Sequence, residues 1–182
     1  MNGKSRFSVR DMVMLSLLVS LNVVLSRVAS IRIPIGGVES LRIGFGAMPV
    51  IFAGLYFGVR AGAVVGALGD VAGFIMSPAG GVFMPHFTLS AALAGAIPPL
   101  VLRLFGRRER VGEHSLPELL VAIGAGQLIT SVLLTPYFLD MLFGVPFAAT
   151  VFVRLQTQLI QVPLYAVFTK LLARRLSFLV PG

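Results

Sequence analysis

The chain has 182 residues, of which 57% are hydrophobic and 12% charged, and its formal net charge is +8. A soluble domain is about 25% charged and less than half apolar, and a chain of this length cannot bury so large an apolar excess in its own core. Composition therefore excludes a soluble globular protein and a disordered one, and it indicates a protein that lies in lipid. The absence of cysteine excludes disulfides, thiolate metal sites and a cysteine nucleophile.

Six continuously apolar segments predict a single all-α integral membrane domain over residues 1–182, built as a bundle of six transmembrane helices. Because the segments do not alternate between apolar and polar residues, strands are not expected within them. The first segment follows basic residues as a signal peptide would, but the later segments are equally apolar, so a retained helix is predicted. The predicted helices cover residues 11–29, 43–58, 61–76, 86–105, 117–143 and 150–173.

The basic residues are distributed unevenly between the two ends of these segments. The end that carries both termini collects eleven of them, and the other end has four. Since cytoplasmic loops are rich in lysine and arginine, both termini are predicted to be cytoplasmic. The net charge then requires no nucleic-acid partner. The eleven are Lys4, Arg6, Arg10, Arg60, Arg103, Arg107, Arg108, Arg110, Lys170, Arg174 and Arg175.

The four arginines at the predicted external end oppose the topology signal and need another explanation. A guanidinium is a planar fork that suits a carboxylate or a phosphate, so these residues are candidates for binding an anionic solute. The alternative is that they snorkel to the interface or pair with Glu39 and Asp140. Binding is favoured most for the first and last of the four, which are Arg27, Arg32, Arg42 and Arg154.

Segment six carries a polar face. Polar side chains inside a membrane usually face a bundle interior or a wet cavity, although interhelical hydrogen bonding is the alternative. The spacing i, i+4, i+7 and i+11 places these residues on one side of a helix. They are Arg154, Gln158, Gln161 and Tyr165, and segment five has a weaker stripe of Gln127, Thr130 and Ser131.

Asp70 is the only acidic residue near the middle of a segment, which makes it a candidate for a functional role. It could bind the N–H groups of a heterocycle, take part in proton coupling, or pair with an arginine or a hydroxyl group. Since a proton relay would use several such groups, a binding or structural role is favoured.

Small residues at four-residue spacing indicate close helix packing. In segments two and three these are Gly54, Gly58, Gly62 and Gly66, followed by Gly69 and Gly73. In segment one Ser16 and Ser20 show the same spacing, on a helix that its own bundle need not cover. They predict a face on which another membrane protein docks.

Enzymatic motifs are missing from the sequence. His86 and His114 lack metal-ligand spacing, and no serine-hydrolase or zinc-protease motif is present. The Gly3-Lys4-Ser5 run lacks the loop that a nucleotide site requires. We therefore expect a protein that is not an enzyme, without a cofactor or a metal, whose transport energy comes from an ion gradient or from partner subunits.

Several short motifs follow one another in order along residues 12–173. They are LSR at 25–27, PIGG at 34–37, LRIGFG at 41–46, GALGD at 66–70 and FTLSAAL at 87–93, followed by the Pro136-Tyr137 and Gly144–Phe147 patterns and the polar face of segment six. Together they make the chain similar to the substrate-binding S components of energy-coupling factor (ECF) vitamin transporters, most of all to the folate type.

The resemblance implies a six-helix, multi-pass protein of the bacterial plasma membrane that binds a vitamin from outside. It also implies partners, namely a transmembrane T component and two cytosolic ATPases. In this family small residues on the first helix contact the T component, and Ser16 and Ser20 stand where alanines are more usual.

For folate, the resemblance and the residues suggest a division of roles. Arg27 and Arg154 would hold the two carboxylates, Asp70 or the glutamines would bind the pterin edges, and Phe45, Phe83 and Phe87 would offer faces for stacking. Another anionic vitamin such as pantothenate, a stand-alone secondary transporter, and a membrane enzyme remain as alternatives. The complete predicted substrate-binding set is Arg27, Arg42, Asp70, Phe87, Ser90, Arg154, Gln158 and Gln161.

Overall fold

The computed structural model describes residues 8–28, 30–35, 39–76, 83–105 and 114–179. These residues form six helices and one two-stranded hairpin, so the predicted six-helix bundle is confirmed. The elements are α1 (Val9–Val28), β1 (Ser30–Ile35), β2 (Glu39–Gly44), α2 (Ala47–Phe57), α3 (Val59–Met76), α4 (Pro85–Leu104), α5 (Leu116–Phe143) and α6 (Phe147–Leu179).

The hairpin is an addition to the predicted architecture. Residues 30–35 alternate isoleucine with other residue types, a period-2 pattern that favours a strand. β1 pairs antiparallel with β2, and the register places Arg32 opposite Arg42. Because β2 contains Ile43 and Gly44, α2 begins later than the predicted segment 43–58.

Within the part of the chain that the structure describes, four helices are long and apolar enough to cross a membrane, namely α1, α3, α4 and α5. α2 is apolar but has only 11 residues, which is well short of the roughly 20 that span a bilayer. α6 has 33 residues and Pro163 within it. The lipid-facing sides of these helices leave many large apolar side chains uncovered, for example Leu68, Leu104 and Leu159.

Glycines bring α2, α3 and α4 into backbone contact. A Cβ atom on Gly62 would lie 2.2 Å from the carbonyl oxygen of Gly95, and one on Gly54 would lie 1.9 Å from the same atom. Gly66 approaches the Ala91 carbonyl in the same way. The prediction of close packing is confirmed for Gly54, Gly62 and Gly66, because only a residue without a side chain allows these approaches.

Gly58 has a different role from the rest of the glycine series. Its φ is 97°, a conformation that glycine adopts without strain, and it turns the chain between α2 and α3. The hydrophobic core draws on α2, α3, α5 and α6, with Ile51, Val65, Ile123 and Ala166 fully buried.

Arginines of three helices lie at one end of the bundle. Arg10 of α1, Phe57 of α2 and Arg175 of α6 line one groove, and the Arg103 side chain of α4 reaches Gly58. We call this the basic end. The carboxyl end of α1, with Arg27, lies at the opposite end.

Candidate functional site

A cavity of about 300 Å³ lies between α1, α2, α3 and α4 toward the end opposite the basic end. Small residues of α3 and α4 form much of its wall, which leaves room for a ligand or water. Its described polar lining consists of Asn22, Ser26 and Arg27 of α1 and Asp70 of α3. The cavity thus brings together two of the predicted site residues, Arg27 and Asp70.

Arg27 is held in place by α3. Its Nη2 donates a hydrogen bond to the carbonyl oxygen of Gly73 at 2.5 Å. A Cβ on Gly73 would lie 3.5 Å from Nη2, an ordinary van der Waals contact, so the guanidinium packs directly against α3. Because a guanidinium has five N–H donors, this bond leaves donors for an anionic ligand.

Asp70 is held by α4. Its Oδ2 accepts a hydrogen bond of 2.7 Å from Oγ1 of Thr88. This hydrogen bond ties the carboxyl group of Asp70 on α3 to α4. Sequence reasoning missed Thr88, although it lies within the FTLSAAL motif, one residue after Phe87.

Asn22 and Ser26 are the other polar residues that sequence reasoning missed. Asn22 is buried, and its Nδ2 donates to the carbonyl oxygen of Gly46 at 2.7 Å. A Cβ on Gly69 would lie only 2.1 Å from Oδ1 of Asn22, so α1 and α3 are in close contact. The available signal was the spacing i, i+4 of two polar residues in an apolar helix.

The polar face of α6 binds the end of the hairpin. Nε2 of Gln161 donates to the carbonyl oxygen of Gly44 at 3.0 Å, and the hydroxyl group of Tyr165 donates to the same oxygen. These two side chains therefore join α6 to the end of the hairpin rather than to another helix.

Gln158 connects α6 to α5. Its Nε2 donates to Oγ of Ser131 at 2.9 Å and lies 3.3 Å from Oε1 of Gln161. Its own Oε1 is buried and has no hydrogen-bond partner within the described part of the chain. A buried acceptor without a partner is costly, so this atom is available to a donor on a ligand.

Ser131 owes its position to a π-helical segment in the middle of α5. The helix is α-helical over Leu116–Gln127, π-helical over Leu128–Leu134 and α-helical over Thr135–Phe143. Pro136 lacks an N–H group, and the hydroxyl and N–H groups of Thr135 both donate to the carbonyl oxygen of Thr130. π-helical segments inside α-helices are rare and are frequently found at functional sites.

The polar side chains of α6 and those of the cavity approach each other at residues 44–46. The carbonyl oxygen of Gly44 receives the α6 side chains, and that of Gly46 receives Asn22 from α1. Arg154 lies on α6, about 30 Å along the helix from Arg175 at a rise of 1.5 Å per residue. It is therefore at the same end of the bundle as Arg27.

Four other aromatic or polar residues that the sequence suggested are absent from the described lining of the cavity. Phe87 packs edge-on against Phe138 of α5, with ring centroids 6.4 Å apart. Ser90 is buried, and its hydroxyl group donates to the His86 carbonyl within α4. Phe83 packs against Phe74, and Phe45 packs on the core. Arg42 belongs to β2, and its side chain lies outside the described residues.

The comparison with known families and proteins gives a consistent result. The family model described as ECF-type riboflavin transporter, S component, matches residues 6–177. The folate transporter FolT of Clostridium novyi (strain NT) is 31% identical over 120 residues. The matched segment covers 66% of this chain and 65% of that relative, so it spans slightly less than two thirds of the relative's length.

Two solved structures share the fold. The structure of FolT bound with folic acid has a TM-score of 0.72 and 26% sequence identity, and the match covers 93% of this chain and 97% of that one. The S component of a bacterial ECF transporter has a TM-score of 0.65 at 21% identity, with 92% and 95% of the two chains covered. The second match shows the fold alone.

Proposed function

Since the chain belongs to the family of ECF-type riboflavin transporter S components, we propose that it captures a vitamin for uptake and that this vitamin is folate. The family assignment makes it a multi-pass membrane protein and a transport subunit. The observation that carries the folate proposal is the similarity of nearly the whole chain to FolT bound with folic acid, supported by the sequence relative from Clostridium novyi.

The charge of the site supports folate over riboflavin. Folate carries a glutamate with two carboxylates, whereas riboflavin has no carboxylate. Arg27 lines the cavity, Arg154 lies at the same end of the bundle, and the hairpin register pairs Arg32 with Arg42. A guanidinium group in the cavity wall can bind a ligand carboxylate, which folate offers and riboflavin does not.

We assign the pterin edges to the neutral and acidic groups. Asp70 can accept from ring N–H and amino groups, and Oε1 of Gln158 is a buried acceptor that needs a donor. Arg42, Phe87 and Ser90 remain proposed contacts. Of these, Phe87 would have to act from its position against Phe138.

A ligand panel tests the vitamin. Purified protein in detergent, titrated separately with folic acid, riboflavin and pantothenate, is expected to bind folic acid with a nanomolar Kd and to discriminate against the other two by at least about 100-fold, or about 2.7 kcal/mol. Isothermal calorimetry measures all three on the same sample. Tight binding of riboflavin or pantothenate without folic acid would refute folate while leaving the family assignment unchanged.

We infer the orientation in the membrane from the basic end. Four arginines lie at helix ends on this side of the bundle. Arg10 and Arg175 line one groove, and the Arg103 side chain reaches Gly58, two residues before Arg60. By the excess of basic residues on cytoplasmic sides, we place this end and both termini in the cytoplasm. The vitamin would then enter from outside, at the end that carries Arg27.

A stripe on α1 is the proposed contact with a transmembrane T component, which would join two cytosolic ATPases. Val9 and Val13 are 72% and 64% exposed, and Ser16 and Ser20 follow on the same face. Both serine hydroxyl groups donate to carbonyl oxygens of their own helix, at 2.9 and 3.1 Å, so the face presents no unsatisfied donor. Small residues there would let a second helix approach closely.

Larger side chains on this stripe should impair docking of the T component without affecting vitamin binding. Ser16→Leu combined with Ser20→Leu is expected to reduce copurification of the T component by at least tenfold and to leave the Kd for folic acid unchanged, because the stripe lies outside the cavity. Ser16→Ala with Ser20→Ala keeps the small size and should copurify normally. If the leucine variant copurifies as well as the alanine variant, the docking face is elsewhere.

A further inference from the structure

An unpartnered amide on α5 faces the interior of the bundle. Gln127 is only 5% exposed, and Ile123 and Thr130, which share its side of the helix, are buried as well. The Gln127 amide forms no hydrogen bond with any residue that the structure describes, and neither its nitrogen nor its oxygen is completely enclosed. A buried amide without partners is costly, so its place in an apolar interior points to a ligand.

The packing of α5 against α6 places Gln127 near the polar face of α6. A Cβ on Gly124 would lie 3.7 Å from Cγ1 of Val162, and seven residues further along α5, Ser131 accepts a hydrogen bond from Gln158. The two helices are therefore antiparallel, with position 124 opposite 162 and position 131 opposite 158. Gln127 lies between these two contacts, less than one helical turn along the axis from the level of Gln158.

The orientation of the Gln158 amide is fixed by its neighbours. Its Nε2 donates to Oγ of Ser131 at 2.9 Å and lies 3.3 Å from Oε1 of Gln161. Nε2 of Gln161 in turn donates to the carbonyl oxygen of Gly44, so neither amide can flip without losing hydrogen bonds. The unpartnered Oε1 of Gln158 is thus held as an acceptor, whereas the amide of Gln127 can both donate and accept.

We propose that Gln127 determines specificity together with Gln158, by binding the amino-lactam edge of a pterin; this inference rests on the folate proposal. Along that edge an exocyclic amino group, a ring N–H and a carbonyl oxygen stand side by side. The primary amide of Gln127 pairs with the ring N–H and the carbonyl oxygen through two parallel hydrogen bonds, and Oε1 of Gln158 accepts from the amino group.

The same arrangement disfavours a flavin. A flavin has a second carbonyl oxygen where the pterin has its amino group, and this oxygen would meet Oε1 of Gln158 as one acceptor against another. A site that hydrogen-bonds a ligand group rejects an analogue without that group, because its own polar atoms are then left without partners. Neutral groups thereby add to the selection that the arginines make by charge.

Two full-length analogues of folic acid test the two contacts on the purified full chain in detergent. We expect the N3-methyl analogue to bind at least 100-fold more weakly than folic acid, because the methyl group replaces the proton that Gln127 accepts. The analogue with hydrogen in place of the 2-amino group should bind at least tenfold more weakly. Calorimetric titration gives each Kd.

Gln127→Ala separates recognition from general damage to the protein. It should weaken folic acid binding at least tenfold and reduce the discrimination against the N3-methyl analogue to less than tenfold, since alanine neither bonds the ring N–H nor obstructs the methyl group. The discrimination is a ratio of two Kd values for one variant, so a general loss of stability does not change it. Gln156→Ala removes an exposed amide from α6 and should keep the discrimination of the unmodified protein.

The outcomes distinguish this inference from the folate proposal. If the unmodified protein binds folic acid and Gln127→Ala keeps the full discrimination, Gln127 does not bind the lactam edge, while the folate proposal stands. Equal binding of folic acid and its 2-deamino analogue would show that Oε1 of Gln158 does not receive the amino group, and the inference would fail. Preference of the unmodified protein for riboflavin over folic acid would refute both.

Discussion

Gly62→Ala is expected to lower the free energy of unfolding by about 3 kcal/mol, at the upper end of what one extra carbon costs in a tightly packed interior. The new Cβ would lie 2.2 Å from the Gly95 carbonyl oxygen and 2.5 Å from the Gly54 Cα. Both obstacles are backbone atoms, which cannot rotate aside as the end of a side chain can. α2, α3 and α4 would have to separate, and the same three helices form the wall of the Arg27 and Asp70 cavity. Thermal unfolding in detergent, followed by the loss of the monodisperse peak, measures the change.

Gly124→Ala is the matched control, because it adds the same atom to α5. The nearest neighbour there is Cγ1 of Val162 at 3.7 Å, an ordinary van der Waals contact. Alanine also has a higher helix propensity than glycine, so the stability should stay the same or rise by up to about 1 kcal/mol. Equal melting temperatures for the two variants would show that the contact between α2, α3 and α4 can relax, contrary to our expectation.

Arg154→Ala is expected to weaken folic acid binding by at least about 100-fold, which corresponds to about 2.7 kcal/mol. The physical reason is that a ligand carboxylate removed from water would lose its cationic partner, and truncating one member of such a pair costs about 2–5 kcal/mol or more. Arg154→Lys keeps the charge but not the planar fork, so its affinity should be intermediate. Calorimetric titration gives the Kd, and the melting temperature of the free protein shows whether the variant is folded.

An altered ligand separates charge recognition from general damage to the site. Folic acid with both glutamate carboxylates esterified should bind the unmodified protein much more weakly than folic acid, and Arg154→Ala should reduce this difference. Arg174→Ala removes an exposed arginine near the other end of the same helix and should leave the Kd unchanged. If Arg154→Ala weakens the ester and the acid by the same factor, Arg154 does not bind a carboxylate.

Sequence reasoning found the polar residues of the candidate site more readily than their hydrogen-bond partners. Asp70, Gln158 and Gln161 stand out because each is polar within an apolar segment. Thr88 and Ser131 did not stand out, because serine and threonine are common in membrane helices, where their hydroxyl groups can bond the preceding turn. The Gly44 carbonyl oxygen, which Gln161 and Tyr165 share, has no signature in the sequence at all.

The π-helical segment and the hairpin show two further limits. Pro136 indicates that a backbone hydrogen bond is missing, but not that the helix widens over Leu128–Leu134 and turns Ser131 toward Gln158. The isoleucines of β1 alternate in a way that favours a strand, yet the flanking apolar segments dominate the pattern. Which local preference prevails depends on the packing around it.

The sequence by itself determined that the protein lies in lipid, how many helices it has and at which end its basic residues are concentrated. These properties follow from sums over many residues, namely apolar content, segment length and the excess of lysine and arginine, and each sum tolerates changes in its members. Only the tertiary structure decided which polar residues meet. Arg27 binds Gly73, which lies 46 positions away, and Gln161 binds Gly44, which lies 117 positions away. Such pairings depend on how closely the glycines of α2, α3 and α4 let the helices approach, and a hydrogen bond is lost when that approach changes by about an ångström.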